Sequence, residues 1–320
     1  MRPSLWWFTA AGVIGGVACL GEDPDPAQAS SIQDGGFDAP EDAGVDDVVQ
    51  RSCSHRDRFT SSMLVPNVNT KESDGLASLT ADETAIFLTR SKTGDAGTRV
   101  FTASRASRQN AFDVPRPVDE LTGGAGDLHP WITGDGKTLF FARALDGGVY
   151  KIHQASRSTP DATFGPASEV PGVNSDEYDS LSPSVSDDLG EMIFSSNRNG
   201  GYRIYRSASF QQPVEVTELS GLMGGGRGFR GTVLHASGLY LYFGLSETPT
   251  LSSGYRQVWV AERESREQPF RNARPADEIN IDGASLPVWI SPDLCRLYVS
   301  QDRADGGVGS TDIWMYSRSP

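Results

Sequence analysis

The sequence predicts an all-β, five-bladed β-propeller with four-stranded antiparallel blades, the last blade completed by an N-terminal strand. Three observations carry this. A hairpin pattern recurs five times, third- and fourth-strand patterns follow it, and one fourth-strand pattern is displaced to the N-terminal side of the first repeat. Gly 35, Pro 19 and a hydrophobic content of 37% suit many short strands that each bury one face.

Residues 1–19 read as a secretory signal, with Arg2, the apolar run Leu5–Ile14 and small residues up to Cys19. The run is too short and too glycine-rich for a comfortable membrane span. Gly16-Val17-Ala18-Cys19 resembles a bacterial lipobox, which implies lipidation of Cys19, although Gly16 stands where an aliphatic residue is usual. The other reading is plain secretion, with cleavage after Ala27-Gln28-Ala29.

Residues 20–52 form a separate segment. Between Glu22 and Gln50 there are nine acidic residues and no basic one, among Pro, Gly, Ala and Ser. Such a stretch cannot bury enough apolar surface to offset its ordering entropy, so a disordered tether with a reach of roughly 30 Å is expected.

Residues 53–320 are expected to form the propeller. Each repeat opens on an apolar anchor followed by a polar turn and an apolar run: Leu79, Ile132, Val185, Leu234 and Ile290. The run ends nine residues after the anchor in all five repeats. The third residue after the anchor is Asp82, Asp135, Asp188, Ser237 or Asp293. Apolar segments flanking an Asp- or Gly-containing turn describe a β-hairpin. A third strand carries Val100-Phe101, Ile152-His153, Ile204-Tyr205, Val258-Trp259 and Ile313-Trp314, and several continue into a small residue and then an arginine. A fourth follows as Phe112/Val118/Leu121, Phe164/Val170/Val173, Phe210/Val216/Leu219 and Phe270/Ala276/Ile279. The fifth example, Phe59/Val65/Val68, precedes the first anchor. A ring closed by its N-terminus leaves no open blade edge, whereas a linear solenoid would gain nothing from such sharing.

The segments from Pro130, Pro183 and Pro287 resemble the WD40-like repeats of TolB-type propellers, often called PD40 repeats. Blades one and four depart from that pattern, with Ala77 and Thr232 in the proline position. The resemblance implies a bacterial periplasmic or surface propeller, an outer-membrane lipoprotein or a secreted protein, and it leaves the partner open.

The net charge of −14 argues against nucleic acid, whose phosphates require Lys and Arg. The four histidines are too scattered to suggest a zinc site, and the glycine-rich stretch after Met223 reads as a loop rather than a phosphate cradle. Asp74, Asp127, Asp179 and Asp282 precede the inner strands at one channel mouth. They are either a ring able to hold Ca2+ through oxygen ligands or turn residues bonding their own backbone. With His129, Tyr178 and Arg230 they make the candidate surface for an envelope protein or a polar ligand, since loops on a rigid scaffold carry most binding residues. The connections at the opposite end are short, and the sequence gives them no role beyond reversing the chain. The function expected is a non-catalytic binding scaffold, in contact with the membrane only through a lipid. The alternative is a carbohydrate-active hydrolase, which needs two carboxylates flanking the scissile bond. Cys53 and Cys295 come close enough in this arrangement to pair in an oxidising compartment, the other reading being two free thiols.

Overall fold

The computed structural model describes residues 52–91, 97–121, 126–145, 148–224, 227–246, 256–280, 283–303 and 306–320. The expectations for Cys19, the acidic tether and Asp282 lie outside them. Strand β1 (Ser61–Leu64) comes first in the chain. Blade one holds β2 (Ser73–Leu79), β3 (Ala85–Ser91), β4 (Thr98–Ser104) and β5 (Arg116–Pro117). Blade two holds β6 (Asp127–Ile132), β7 (Thr138–Ala144), β8 (Tyr150–Ser156) and β9 (Ser168–Glu169). Blade three holds β10 (Ser180–Val185), β11 (Glu191–Ser196), β12 (Arg203–Ala208) and β13 (Val214–Glu215). Blade four holds β14 (Gly228–Leu234), β15 (Tyr240–Ser246), β16 (Arg256–Glu262) and β17 (Arg271–Pro275). Blade five holds β18 (Ser285–Ile290), β19 (Arg296–Gln301) and β20 (Asp312–Ser317), and β1 is its fourth strand.

Every anchor closes an inner strand, and the turn after it is held by its own side chains. Thr80, Thr133, Ser186 and Ser291 donate their hydroxyls to Asp82, Asp135, Asp188 and Asp293 at 2.5–2.7 Å. Each carboxylate also accepts a backbone N–H two residues on, from Thr84, Lys137, Gly190 or Cys295. These are turns closed by a side chain bonding its own backbone. The Thr133 hydroxyl holds the Asp135 carboxyl below its usual range, and Ser186 with the Gly190 N–H holds Asp188 at about 2. The next residue is left-handed in all five blades: Glu83, Gly136, Leu189, Gly238 and Leu294 have φ of 56–75°.

The arginine after the third strand reaches back to that same turn. Arg105, Arg157, Arg263 and Arg318 donate Nε to the carbonyls of Glu83, Gly136, Gly238 and Leu294 at 2.6–2.7 Å. Each guanidinium also lies 4.2–4.4 Å from the ring centre of Phe112, Phe164, Phe270 or Phe59, a stacking worth roughly 1–2 kcal/mol when desolvated. The recurring Phe therefore seats under an arginine, and the ladder pairing of the outer segment is shorter than the sequence suggests. In blades one to three it is two residues long. Prolines in or next to it, Pro117 and Pro115 in blade one, lack the N–H that a longer ladder needs.

Closure of the ring follows the same rules. β1 pairs antiparallel with β20 from Ser61↔Ser317 to Leu64↔Trp314. Asn69 exchanges two hydrogen bonds with the backbone of Ile313, as Asn174 does with Ile152 and Asn280 with Val258. Ahead of β1, Cys53 forms a disulfide with Cys295 across a Cα separation of 5.1 Å. Its N–H donates to the Asp293 carbonyl at 2.8 Å, which places the cysteine beside the hairpin turn rather than above the outer strand. The chain then crosses onto blade four. His55 stacks on Tyr240, and His55, Arg56 and Asn272 all bond Glu262. Burial alone would raise the Glu262 carboxyl, and these three donors outweigh it and hold it at about 2.

All five inner strands carry a β-bulge, a feature with no counterpart in the sequence expectations. Its left-handed residue is Leu76, His129, Ser182 or Gly231 in the first four blades. Bulges sharpen twist and re-aim side chains, and here they let five inner strands converge around one axis. Ser78 and Ser184 bridge to the next blade, accepting the Ile132 and Leu234 N–H at 2.8 and 2.6 Å.

Candidate functional site

The loops that enter the inner strands bring the sequence-derived candidates to one end of the ring, in two kinds of arrangement. Asp74 and Asp127 belong to clamps between blades. The fully buried Asp74 receives Arg90 Nε at 2.5 Å on one oxygen, and the Thr70 N–H and hydroxyl at 2.6 Å on the other. Arg90 then donates to the carbonyl of Val68, in the outer segment of the preceding blade. Asp127 takes Arg143 in a bidentate pair, 2.8 Å on both oxygens, and Arg143 donates to the Leu121 carbonyl. Blade three makes the same link with Arg198, Ser180 and the Val173 carbonyl, and blade five with Gln301, Ser285 and the Ile279 carbonyl. A link repeated with changing residues is a fold requirement, and both acids are consumed by it.

Asp179 and Arg230 are arranged differently. Asp179 accepts the Tyr150 N–H at 2.9 Å and the Tyr202 hydroxyl, and exchanges bonds with Asn197. The Arg230 guanidinium lies 4.4 Å from the centre of the Tyr202 ring. Blades two, three and four thus supply a carboxylate, two tyrosines and an arginine to one patch. Burial, with the nearby Asp179 charge, pushes the phenols of Tyr150 and Tyr202 above their ordinary range. Tyr178, next in the chain to Asp179, is 39% exposed. His129 sits at the bulge of β6 with φ 52°, so its backbone position is set by the fold.

The sequence reading missed Tyr150 and Tyr202. The available signal was the tyrosine after paired glycines at the start of a third strand, Gly200-Gly201-Tyr202 and Gly147-Gly148-Val149-Tyr150. Among the described residues no three His, Cys, Asp or Glu side chains gather as metal donors. At the opposite end, where the sequence suggests only short chain-reversing turns, a cleft of about 570 Å3 opens between blades one and two.

No protein-family model and no curated protein matches the chain. Solved structures do. A TolB structure from Agrobacterium tumefaciens superposes with a TM-score of 0.50 at 13% identity, over 79% of this chain and 78% of that one. A thermostable family-43 glycoside hydrolase also gives 0.50, at 14% identity, over 81% of this chain and 96% of that one. The likeness is one of fold. What this propeller does must therefore be argued from its own side chains.

Proposed function

We propose that this propeller is a non-catalytic binding module of the bacterial envelope, with the loop end as its working surface. One observation carries the reading: the described acids that the sequence singles out at that end are all engaged. Asp74 and Asp127 are locked to Arg90 and Arg143, and Asp179 accepts bonds from Tyr150, Tyr202 and Asn197. Glycoside hydrolysis needs one carboxyl free to give a proton and a second free to attack or activate water. The largely buried group of Asp179, Tyr202 and Arg230, with the exposed Tyr178 next to it in the chain, instead combines aromatic rings with both charges, which suits a polar ligand or a peptide segment. Residues 1–19 support export, with a lipid on Cys19 as the proposed anchor. Among the described residues no helix is long and apolar enough to cross a membrane.

The test combines chromogenic glycosides with an envelope pull-down, comparing the parent with a Tyr178→Ala/Arg227→Ala variant altered only at exposed loop-end positions. No glycoside should be cleaved, and the parent should capture a partner that the variant loses at least tenfold. Turnover of any glycoside by the purified protein, or equal capture by the folded variant, overturns the reading.

A further inference from the structure

The five contacts between neighbouring blades differ at the turn end, and one of them is incomplete. In each blade the residue after the third strand faces the second strand of the preceding blade. Arg318 donates to the Tyr242 hydroxyl at 3.0 Å and Arg105 to the Tyr298 hydroxyl at 3.5 Å. Arg263 forms a two-point pair with Glu191. Blade three has Ser209 in place of the arginine, and there Phe210 stacks on Phe140 at 5.7 Å instead.

Between blades one and two the same arginine is present and its oxygen partner is not. Arg157 keeps its bonds to the Gly136 and Ala162 carbonyls and its stacking on Phe164. The position of Tyr242 and Tyr298 is taken by Phe87, whose ring centre lies 5.7 Å from the guanidinium, and the position of Glu191 by Ala85. Among the described residues Arg157 makes no ion pair. The missing atoms leave the cleft of about 570 Å3, floored by Phe87, Phe164 and Val118. Of the four acids on its walls, Asp82 and Asp135 are turned into their own turns by Thr80 and Thr133, and Glu120 and Asp161 attract Arg157 from beyond ion-pair distance. Arg105 and Arg116 are the other cations of the lining.

The geometry points to a binding site in this cleft for an organic anion with an aromatic or aliphatic body. Its carboxylate or sulfonate would lie where Glu191 meets Arg263 in the later blade, and its apolar part on the Phe87–Phe164 pair. A charge-assisted bond to a partly buried guanidinium is about twice as strong as a neutral one, and Phe87 and Phe164, only 1% and 7% exposed, form the apolar floor beneath it. The site is separate from the loop-end surface, so it stands or falls independently of the partner sought there.

The probe is 8-anilinonaphthalene-1-sulfonate, with N-phenyl-1-naphthylamine as its neutral counterpart, both followed by fluorescence on the folded protein. The parent should bind the sulfonate saturably at one site. Arg157→Met should weaken it at least tenfold while changing the neutral amine less than twofold. Ala85→Glu and Phe87→Tyr rebuild contacts that other blades already hold, so they keep the fold if Arg157→Met does not, and each should also weaken the sulfonate at least tenfold. Absence of saturable binding, unchanged binding in folded Ala85→Glu, or equal loss of both probes in Arg157→Met overturns the proposal.

Discussion

Asp127 and Arg143 are both more than nine-tenths buried, and each satisfies the other at two points. Removing one partner strands the other charge away from water, which typically costs about 3–5 kcal/mol. Asp127→Asn is therefore expected to lower the unfolding free energy by roughly that amount, measured by urea denaturation, while Tyr178→Ala should stay within about 0.5 kcal/mol. An Asp127→Asn protein as stable as its parent would make this acid a functional candidate again. The pairing was in fact legible. Asp74 and Arg90 are 16 residues apart, as are Asp127 and Arg143, the spacing that faces the two ends of a hairpin. The Asp179–Tyr202–Arg230 patch was not legible as a unit, because it joins side chains from successive blades whose facing register no local pattern records.

At the scale of the hairpin, the turn was readable because it repeats as sequence. An anchor, a hydroxyl or His, and an acid or Ser stand at fixed offsets, and each has a bond to make. The bulge was unreadable for the opposite reason. Leu76, His129 and Ser182 share a left-handed backbone and no side-chain chemistry, so the demand lies in ring geometry and leaves the residue type free. Left-handed residues other than glycine cost about 1–2 kcal/mol. Leu189 bears this cost at φ 56°, exposed, where blades two and four place Gly136 and Gly238. Glycine offsets part of the gain through a more flexible unfolded chain, by about 0.5–1 kcal/mol. Leu189→Gly should still raise stability by roughly 0.5–1 kcal/mol, read from the denaturation midpoint, and a loss of stability would mean that Leu189 packs on something that matters.

For the whole ring, the closing blade is assembled from two ends of the chain, and the sequence announced this by placing Phe59, Val65 and Val68 ahead of the first repeat. β1 contributes only four residues, and the disulfide reinforces it. The bond closes a loop with a sequence separation of 242, for which the loop-entropy model gives a stabilisation of roughly 5 kcal/mol. Cys53→Ala/Cys295→Ala is expected to melt about 5–15 °C lower than the parent, and reduction of the parent should reproduce the shift. A change under about 2 °C in both would show that the ring closes without help. The same bond also decides how the domain answers a pull. Tension applied ahead of Cys53 and at residue 320 passes through the sulfur bridge into the hairpin of the last blade. Only the chain beyond Cys295 can then be drawn out, so blades one to four lie inside a covalent loop and bear none of the load.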